Sequence, residues 1–465
     1  MKKTAPQKFH FVGICGTAMG SVAAALHERG FQVSGSDESV YPPMSTFLEE
    51  QGIKLHSGYD QKNIPADADV IVIGNAMKRG NPEVEAVLNR KLFYLSLPEV
   101  LKNYFLRGRH NLVVTGTHGK TTTTSMLTWI LEKAGRKPAY LIGGIPKNLG
   151  QGARLNDSKY FVIEGDEYDT AFFDKRSKFI HYLPELVIVN NIEFDHADIF
   201  KDLDAIKTSF RHLLRIVPQN GMVLLNGDDH NSVEVAKDCY AQMVEVGFSK
   251  NCAQRIRDVA YSDGGARFKL GDDVYEIALV GEFNVRNAAM AATAAGFYDV
   301  PKTKIASALK SFQGVARRQE VRGEARGVKV IDDFGHHPTA IAKTLEGLRQ
   351  RFHDQRLWAI FEPRSNTTRR AVFQHELPAA LKHADGVFIS QVARLDQIPE
   401  SERLHPEQVV KEISQGGRPA FYEKNADAIV DRIVPLLKKE DVVVVFSNGG
   451  FDNIHEKLLN KLKNL

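Results

Sequence analysis

The sequence predicts an α/β protein with three domains, each built on a mainly parallel sheet. Short apolar runs rich in β-branched residues alternate with segments of helical periodicity, which is the pattern of strand–helix–strand units. Most of these runs end in glycine-rich or acidic loops. A chain of 465 residues is also too long for one hydrophobic core. The pattern restarts twice, which divides the chain into 1–107, 108–320 and 321–465.

The first segment predicts a Rossmann-like domain. The apolar run "FHFVGI" precedes "CGTAMG" and the helical pattern "SVAAALHERG", and two more buried strands follow in "FQVSGSD" and "ADVIVIGNAM". Gly13, Gly16 and Gly20 resemble a dinucleotide-binding turn, but Cys15 stands where its second glycine belongs. Asp37 ends the second strand, where NAD enzymes keep a ribose-binding carboxylate. The cluster is therefore compatible with a diphosphate at the helix N-terminus, a weak nicotinamide site or a tight turn alone.

The second segment contains a glycine loop followed by lysine, "VVTGTHGKTTTTSML". A Walker loop would place its first glycine where Val114 stands. This loop instead closes from Gly116 to Gly119, and glycine lets backbone N–H groups point inward. Lys120 supplies a charge for phosphates, and the Thr121 hydroxyl can reach a magnesium ion. Because an apolar strand precedes the loop and a helical pattern follows it, a phosphate site is favoured over an exposed turn.

Two other strands of this segment end in acidic residues. "VIEGDEYD" and "NNIEFDHAD" each continue a buried apolar run, and the carboxyl ends of parallel strands are where open sheets bind ligands. They supply Glu164, Asp166, Glu167, Asp169, Glu193, Asp195, His196 and Asp198. Mg²⁺ takes few protein ligands, so we expect two or three of these to touch metal. The histidine could alternatively be a general base, and any one acidic residue could be a solvated turn residue.

The third segment predicts a second Rossmann-like α/β domain. Its strands are "GVKVIDDFGHHP", "RLWAIFEPRSNT", "ADGVFIS" and "DVVVVFSNGGF", separated by helical segments such as "TAIAKTLEGLRQRF". One strand end carries Arg364, Arg369 and Arg370. Guanidinium groups bind carboxylates in a bidentate fork, so this loop suits an acidic ligand. The alternative is a solvated basic face.

Composition narrows the class of partner. A net charge of +4 and the lack of a long basic block predict small-molecule substrates and no nucleic acid. Three cysteines at unrelated spacings predict neither a disulfide framework nor a zinc site, which suits a reducing cytosol. The basic start lacks a long apolar region, and no apolar stretch of bilayer length follows. We therefore expect a soluble cytoplasmic protein with no membrane partner.

Six motifs together resemble the Mur ligase family, the ATP-dependent amide-bond-forming enzymes of peptidoglycan synthesis. "TGTHGKTTT", "EGDEYD", "NNIEFDHAD", "GEFNVRNAAMAA", "RRQE" and "DDFGHHP" occur in that family's order and approximate spacing, over essentially the whole chain. In that family the shorter glycine loop is the normal form. The resemblance therefore implies a central P-loop ATPase-like domain, ATP and Mg²⁺. A nucleotide switch or motor would need only the lysine loop. A redox or NAD-sensing protein would need only the first domain, and Cys15 in its glycine turn argues against nicotinamide binding.

The resemblance also implies roles for individual residues. The ATP site would comprise Gly116, Thr117, His118, Gly119, Lys120, Thr121, Thr122, Asn284, Arg318 and Asp333. The metal ligands would be Thr121, Glu164 and His196, and the catalytic groups would be Lys120, Glu164, His196 and Arg318. The UDP-substrate site would comprise Gly16, Thr17, Ala18, Met19, Asp37 and Asn75. Several members carry a carbamoylated lysine where Phe210 stands here, so we expect no such modification.

Within the family, the chain resembles the members that act on UDP-N-acetylmuramate. Segments such as "VYPPMSTFLEEQGI", "AFFDKRSKFIHY" and "EPRSNT" favour the member of murein recycling that attaches the tripeptide L-Ala-γ-D-Glu-meso-diaminopimelate. The alternative is the member of de novo synthesis that attaches L-alanine. We expect Arg364 and Asn366 to bind the acceptor in the third domain, and the enzyme to be a monomer or a weak homodimer.

Overall fold

The computed structural model describes residues 7–262, 264–392, 395 and 398–464. Within these ranges the chain forms three large sheets in sequence order, flanked by helices. We refer to the three parts as the first, central and third domains. The predicted three-domain α/β class is confirmed. None of the helices in the described ranges has both the length and the apolarity needed to span a bilayer.

The first domain is a five-stranded parallel sheet with the order β3-β2-β1-β4-β5. Because the chain leaves β1 toward β2 on one side and returns to β4 on the other, a crevice opens beyond the carboxyl ends of these strands. Its elements are β1 (Lys8–Val12), α1 (Thr17–Glu28), β2 (Gln32–Asp37), α2 (Met44–Glu50), β3 (Lys54–Ser57), β4 (Val70–Ile73), α3 (Pro82–Asn89), β5 (Tyr94–Ser96) and α4 (Leu97–Leu101).

The central domain contains the largest sheet, with the order β17-β16-β15-β14-β13-β12-β6-β9-β7-β8. Its elements are β6 (His110–Thr115), α5 (Lys120–Lys133), β7 (Ala139–Leu141), β8 (Ala153–Arg154), β9 (Tyr160–Gly165), β10 (Asp169–Ala171), β11 (Asp174–Ser177), β12 (Leu186–Val189), α6 (Leu203–Leu214), β13 (Met222–Asn226), α7 (His230–Val235), β14 (Gln242–Gly247), β15 (Gln254–Ser262), β16 (Gly265–Leu270), β17 (Asp273–Ile277), α8 (Glu282–Phe297) and α9 (Lys302–Lys310).

The strand β6 lies between β9 and β12 and is parallel to both. All three are buried apolar strands, and all three end at the same edge of the sheet. The glycine loop after β6 therefore lies between the two acidic strand ends, as the sequence predicts. Beyond β14 the sheet continues as the antiparallel strands β15, β16 and β17, which the strand–helix pattern did not predict.

The third domain is a six-stranded sheet with the order β18-β19-β23-β20-β21-β22, in which β18 runs antiparallel to β19. Its elements are β18 (Glu320–Ala325), β19 (Val328–Asp333), α10 (Pro338–Arg351), β20 (Leu357–Phe361), α11 (Glu376–Leu381), β21 (Gly386–Ser390), α12 (Pro406–Gln415), β22 (Ala420–Glu423), α13 (Ala426–Ile433), β23 (Val442–Phe446) and α14 (Ile454–Lys463). The ends of β19, β20 and β23 lead into the loops that face the central domain.

The central and third domains meet through two glycines. A Cβ atom added at Gly347, in the middle of α10, would lie 3.1 Å from the Cα atom of Gly281, just before α8. The obstacle is backbone, which cannot rotate away as a side chain can. Helix α10 can therefore approach the start of α8 closely only because both positions lack a side chain.

Replacement by alanine should stabilise the protein at one helical glycine and not at another. Gly296, near the end of α8, has no atom within 4 Å of an added Cβ, so Gly296→Ala should raise the free energy of unfolding by about 0.5 kcal/mol through helix propensity. Gly347→Ala should give no such gain, because the new methyl group presses on Gly281. Urea unfolding of both variants measures the difference. A stabilised Gly347→Ala protein would contradict the close contact.

Candidate functional site

A cleft of ≈ 790 Å³ lies between the central and third domains, at the carboxyl ends of the central strands. The glycine loop, the two acidic strand ends and the start of α8 line it from the central domain. The loops after β19 and β20 line it from the third domain. Its lining includes Lys120, Glu164, His196, Asn284, Arg318, Asp333, Arg364 and Asn366. Except for Gly116, the residues predicted for the ATP, metal and acceptor sites therefore line one cavity.

Two positions of the glycine loop have positive φ angles, which favour glycine. Gly116 and Gly119 have φ angles of 126° and 81°. The segment after β12 holds the loop from the side: Thr117 N donates to Asn191 O at 2.9 Å, and His118 N donates to Asn191 Oδ1 at 2.8 Å. The segment after the neighbouring strand therefore holds the loop and engages two of its N–H groups. The start of α5, whose N-cap Gly119 has no side-chain cap, presents further N–H groups that suit an anion.

Lys120 is the first residue of α5, and its ammonium group is bound on several sides. The Nζ atom donates to Gly116 O at 2.7 Å and to the Glu167 carboxylate at 2.8 Å. Burial opposes its charge, but the charges of Glu167 and Asp166 outweigh that effect, so the pKa of Lys120 is raised. The lysine is therefore a firmly charged group inside the loop, where phosphate oxygens would need it.

Glu164 is the penultimate residue of β9 and lies directly beside the glycine loop. Its Oε1 atom accepts a hydrogen bond from Thr121 Oγ1 at 2.9 Å, and its Oε2 atom accepts one from Gly143 N at 2.7 Å. Burial raises the pKa of the carboxyl group, and Lys120 opposes that shift. A hydroxyl oxygen and a carboxylate in contact next to a phosphate loop are the oxygen donors that Mg²⁺ prefers. The residues present therefore fit the predicted metal site.

The turn after β12 carries His196 in a left-handed conformation with a φ angle of 56°. Its Nε2 atom lies 3.2 Å from Glu167 Oε1, and its ring lies 4.4 Å from that of Tyr168. Burial alone would lower its pKa, but the hydrogen bond to Glu167 and the charge of Asp195 raise it. Glu167, in the acidic strand end after β9, thus contacts both the glycine loop through Lys120 and the other acidic strand end through His196.

The start of α8 and the segment before β19 close the far end of the cleft. Asn284 donates to Val280 O at 2.9 Å, so its amide supports the helix start, and it also lies 3.5 Å from Gln319 Oε1. Asp333 accepts backbone hydrogen bonds from Gln319 and Gly335 at 2.8 and 2.7 Å. Burial raises the pKa of Asp333, although the charge of Arg318 opposes it. The guanidinium of Arg318 lies 4.7 Å above the Phe334 ring.

His118, Glu193 and His337 form a cluster whose possible ligand atoms lie within 4.8 Å of one another. Hydrogen bonds account for its arrangement. His337 caps α10 by accepting from Thr339 N through Nδ1, and its Nε2 atom lies 3.2 Å from Phe194 O, which makes it a neutral ring that donates through Nε2. Burial lowers the pKa of His337, consistent with this tautomer. Thr339 Oγ1 also donates to Glu193 at 2.7 Å.

The three arginines predicted for the acceptor lie in different surroundings. Arg364 lines the cleft, lies 3.4 Å from Glu362 Oε1 and covers Gly449, where any Cβ would collide with it. Arg369 donates to Asn366 Oδ1 at 2.8 Å. Arg370 forms an ion pair with Glu402, on the third domain's own surface. Asn366 also donates to Asp198 of the central domain at 2.9 Å, so its amide is engaged at both ends.

The first domain presents the predicted UDP-substrate loop at the start of α1. Gly16 is the N-cap of this helix without a side-chain cap, so N–H groups of Thr17, Ala18 and Met19 remain for an anion. The Met19 side chain is buried in the core, which leaves only its backbone to bind a ligand. Asp37 accepts from Cys15 N at 2.8 Å and so shapes the loop. The Asn75 amide donates to Asp169 O of the central domain at 3.0 Å.

Three family models match successive parts of the chain. Residues 8–109 match the "Mur ligase family, catalytic domain", residues 114–295 the "Mur ligase middle domain" and residues 317–449 the "Mur ligase, glutamate ligase domain". The chain belongs to the Mur ligase family. It is therefore an ATP-dependent ligase that forms amide bonds.

Curated Mur ligases and a solved structure are similar over nearly the full length. The UDP-N-acetylmuramate–L-alanyl-γ-D-glutamyl-meso-2,6-diaminoheptandioate ligase of Haemophilus influenzae is 47% identical, covering 98% of this chain and 99% of its own. The UDP-N-acetylmuramate–L-alanine ligase of Acetivibrio thermocellus is 32% identical, covering 98% and 96%. The crystal structure of a murein peptide ligase from Psychrobacter arcticus has a TM-score of 0.71 and 35% identity, covering 99% of both chains.

Sequence reasoning did not select several residues that organise the site of this Mur ligase. Glu167 was one of eight candidates at the two strand ends, and only its contacts with Lys120 and His196 distinguish it. Asn191 holds the glycine loop, and Thr367 of the third domain donates to Asp195 of the central domain. Nothing in the spacing of these residues indicates their partners, which are distant in sequence. These contacts can therefore be identified only from the three-dimensional structure.

Replacing Gly116 should abolish nucleotide binding. An added Cβ would lie 2.9 Å from Asn191 N and 3.0 Å from Asn190 N, so Gly116→Ala must move the loop away from β12. Gly150 also has a positive φ angle, 73°, but open space around it. Gly150→Ala is the control for alanine at a positive φ angle, which costs at least about 1 kcal/mol at either position. Calorimetric titration with ADP should detect binding only in the control; equal affinities would contradict the loop assignment.

Proposed function

We propose that this Mur ligase joins UDP-N-acetylmuramate to the tripeptide L-Ala-γ-D-Glu-meso-diaminopimelate in peptidoglycan recycling. The observation that carries the proposal is the full-length similarity, at 47% identity, to the Haemophilus influenzae ligase whose name states these two substrates. The cleft supports it, because a phosphate loop, clustered carboxylates and an arginine-bearing loop face one another there. A redox protein would not need this combination.

The reaction proposed is acyl activation followed by amide formation. The lactyl carboxylate of UDP-N-acetylmuramate attacks the γ-phosphorus of ATP, which gives an acyl phosphate and ADP. The amine of the peptide then attacks the carbonyl carbon, the bond to phosphate breaks, and a proton leaves the nitrogen. Lys120 and Arg318 would neutralise the transferring phosphoryl group, since fixed charges in a dry site stabilise such a transition state strongly.

The ATP assignment follows the geometry of the loop and the start of α8. The cradle would be Gly116, Thr117, His118, Gly119, Lys120, Thr121 and Thr122, with Asn284 and Asp333 at the nucleoside end. Thr121 and Glu164 would hold one Mg²⁺ and His196 a second one. The metal would supply charge neutralisation between phosphate oxygens. Glu167 would keep Lys120 and His196 oriented, because it contacts both.

The first domain would bind the UDP part of the sugar nucleotide. The uncapped start of α1 offers backbone N–H groups and the positive end of a helix dipole, which suit a diphosphate. The residues involved would be Gly16, Thr17, Ala18 and Met19, with Asp37 and Asn75 beside them. Asp37 would act through the loop, since its carboxylate already binds Cys15 N.

The alternative is a ligase that attaches L-alanine to the same sugar nucleotide. Curated L-alanine ligases are less similar to this chain, at 32% identity for the relative described above. Arg364 also favours a longer acidic acceptor, because its guanidinium lines the cleft on the third-domain side. An acceptor with several carboxylates, such as the tripeptide, could place one of them on this guanidinium. L-alanine has only one carboxylate.

An acceptor comparison tests the proposal directly. Phosphate release is measured with UDP-N-acetylmuramate, ATP and Mg²⁺, adding either the tripeptide or L-alanine over a range of concentrations. We expect kcat/KM to be higher for the tripeptide. A higher kcat/KM for L-alanine would replace the proposal with the alternative, and the absence of release with both would reject either ligase.

Arg364 should contribute to acceptor binding more than to ATP binding. Arg364→Ala should raise the KM for tripeptide by roughly tenfold or more if a charged hydrogen bond is lost, with small changes in the KM for ATP. Arg370→Ala is the matched control, because Arg370 is paired with Glu402 outside the cleft. Steady-state kinetics with each substrate varied in turn separates the cases. Equal changes for all substrates would mean that Arg364 supports domain packing.

A further inference from the structure

Two loops from different domains bind each other at the edge of the cleft. One is the acidic turn, residues 194–198 of the central domain; the other is the arginine loop, residues 364–370 of the third domain. Thr367 Oγ1 donates to Asp195 Oδ1 at 2.9 Å and lies 3.4 Å from Ala197 N, which donates to it. Asn366 Nδ2 donates to Asp198 Oδ2 at 2.9 Å. The two loops are therefore joined by three hydrogen bonds.

The central bond of this set is well isolated from water. Thr367 is 1% exposed and Asp195 is 4% exposed. Asp195 Oδ2 also lies 3.7 Å from His336 Nε2. A carboxylate is charged at neutral pH, and a hydrogen bond from a neutral donor to a charged acceptor is stronger than an ordinary one. Asp195 would lose this donor whenever the domains separated.

Each loop also carries a group of the proposed reaction. The acidic turn carries His196, and the arginine loop carries Arg364. Asp198 further accepts from Tyr168 Oη at 3.1 Å, and the Tyr168 ring packs on His196. The contact between the loops therefore fixes the distance between the acceptor loop and the region where the acyl phosphate would form.

We propose that Thr367 is a positioning residue that joins the arginine loop to the acidic turn, so that the acyl phosphate reacts with the acceptor amine and not with water. The inference rests on the proposed acyl-phosphate reaction. Water attack on the same carbonyl carbon would regenerate the carboxylate and release phosphate, which consumes ATP without forming an amide. Closing a site excludes that water, and the loops close it only while they stay in contact.

The neighbouring Thr368 provides a matched control. It is 0% exposed, and its hydroxyl lies 2.8 Å from Ser365 Oγ within the arginine loop. Thr367→Val and Thr368→Val therefore remove the same group at similar burial. Only Thr367→Val removes a contact between domains. A general loss of stability would therefore affect both variants, whereas a loss of domain closure would affect only Thr367→Val.

The test is the ratio of phosphate released to amide formed at saturating acceptor. We expect a ratio near one for the parent enzyme and for Thr368→Val, and about tenfold more surplus phosphate for Thr367→Val, since loss of a hydrogen bond to a charge shifts an equilibrium by roughly that factor. Thr367→Ser should restore the parent ratio. An unchanged ratio in Thr367→Val, or an equal rise in Thr368→Val, would overturn the proposal.

A second pair of variants tests the same contact if Thr367→Val does not fold. Asn366→Asp places a carboxylate against Asp198 and should raise surplus phosphate by repulsion. Adding Asp198→Asn in the same chain reverses the polarity of the bond and should lower the surplus again, because the oxygen of the new amide can still accept from Tyr168. Failure of the double variant to recover would count against the contact. If the parent enzyme formed no amide, the proposed function would fail instead.

Discussion

Three parallel strands, β9, β6 and β12, end side by side in the central sheet, and this arrangement determines where the charges of the cleft lie. Parallel strands present their carboxyl ends at one edge, so a loop after β6 is necessarily flanked by whatever follows its neighbours. Here the neighbours contribute acidic residues and β6 contributes Lys120. The lysine is thus held between carboxylates on one side and loop carbonyls on the other.

Such a concentration of buried charge is stable only because the groups pair. Removing one partner of a buried ion pair costs several kcal/mol, about 3–5 in typical proteins, whereas a fully paired set can be tolerated. Glu167 has the central position, since it contacts Lys120 and His196 together. Phosphates and Mg²⁺ would add charges of both signs to the same space.

Much of this arrangement could be predicted from the sequence. The strand–helix periodicity indicated the α/β class, and the glycine loop and acidic strand ends indicated the edge where they would meet. The antiparallel extension β15–β17 could not be predicted from the same pattern. Its strands alternate apolar and polar residues because one face of the sheet is exposed, and no crossover helix separates them in the sequence. Nor could the contacts between loops, since Thr367 and Asp195 are 172 positions apart in the chain. Which of several hydroxyls or carboxylates finds a distant partner depends on how the domains pack.

Activation of the sugar nucleotide's carboxylate as an acyl phosphate can be followed by the transfer of its oxygen. UDP-N-acetylmuramate labelled with ¹⁸O in its lactyl carboxylate is ligated to the tripeptide, and the phosphate released is examined by mass spectrometry. We expect one ¹⁸O atom in each phosphate formed together with an amide, because the carboxylate oxygen leaves with phosphorus. Unlabelled phosphate accompanying amide formation would contradict it.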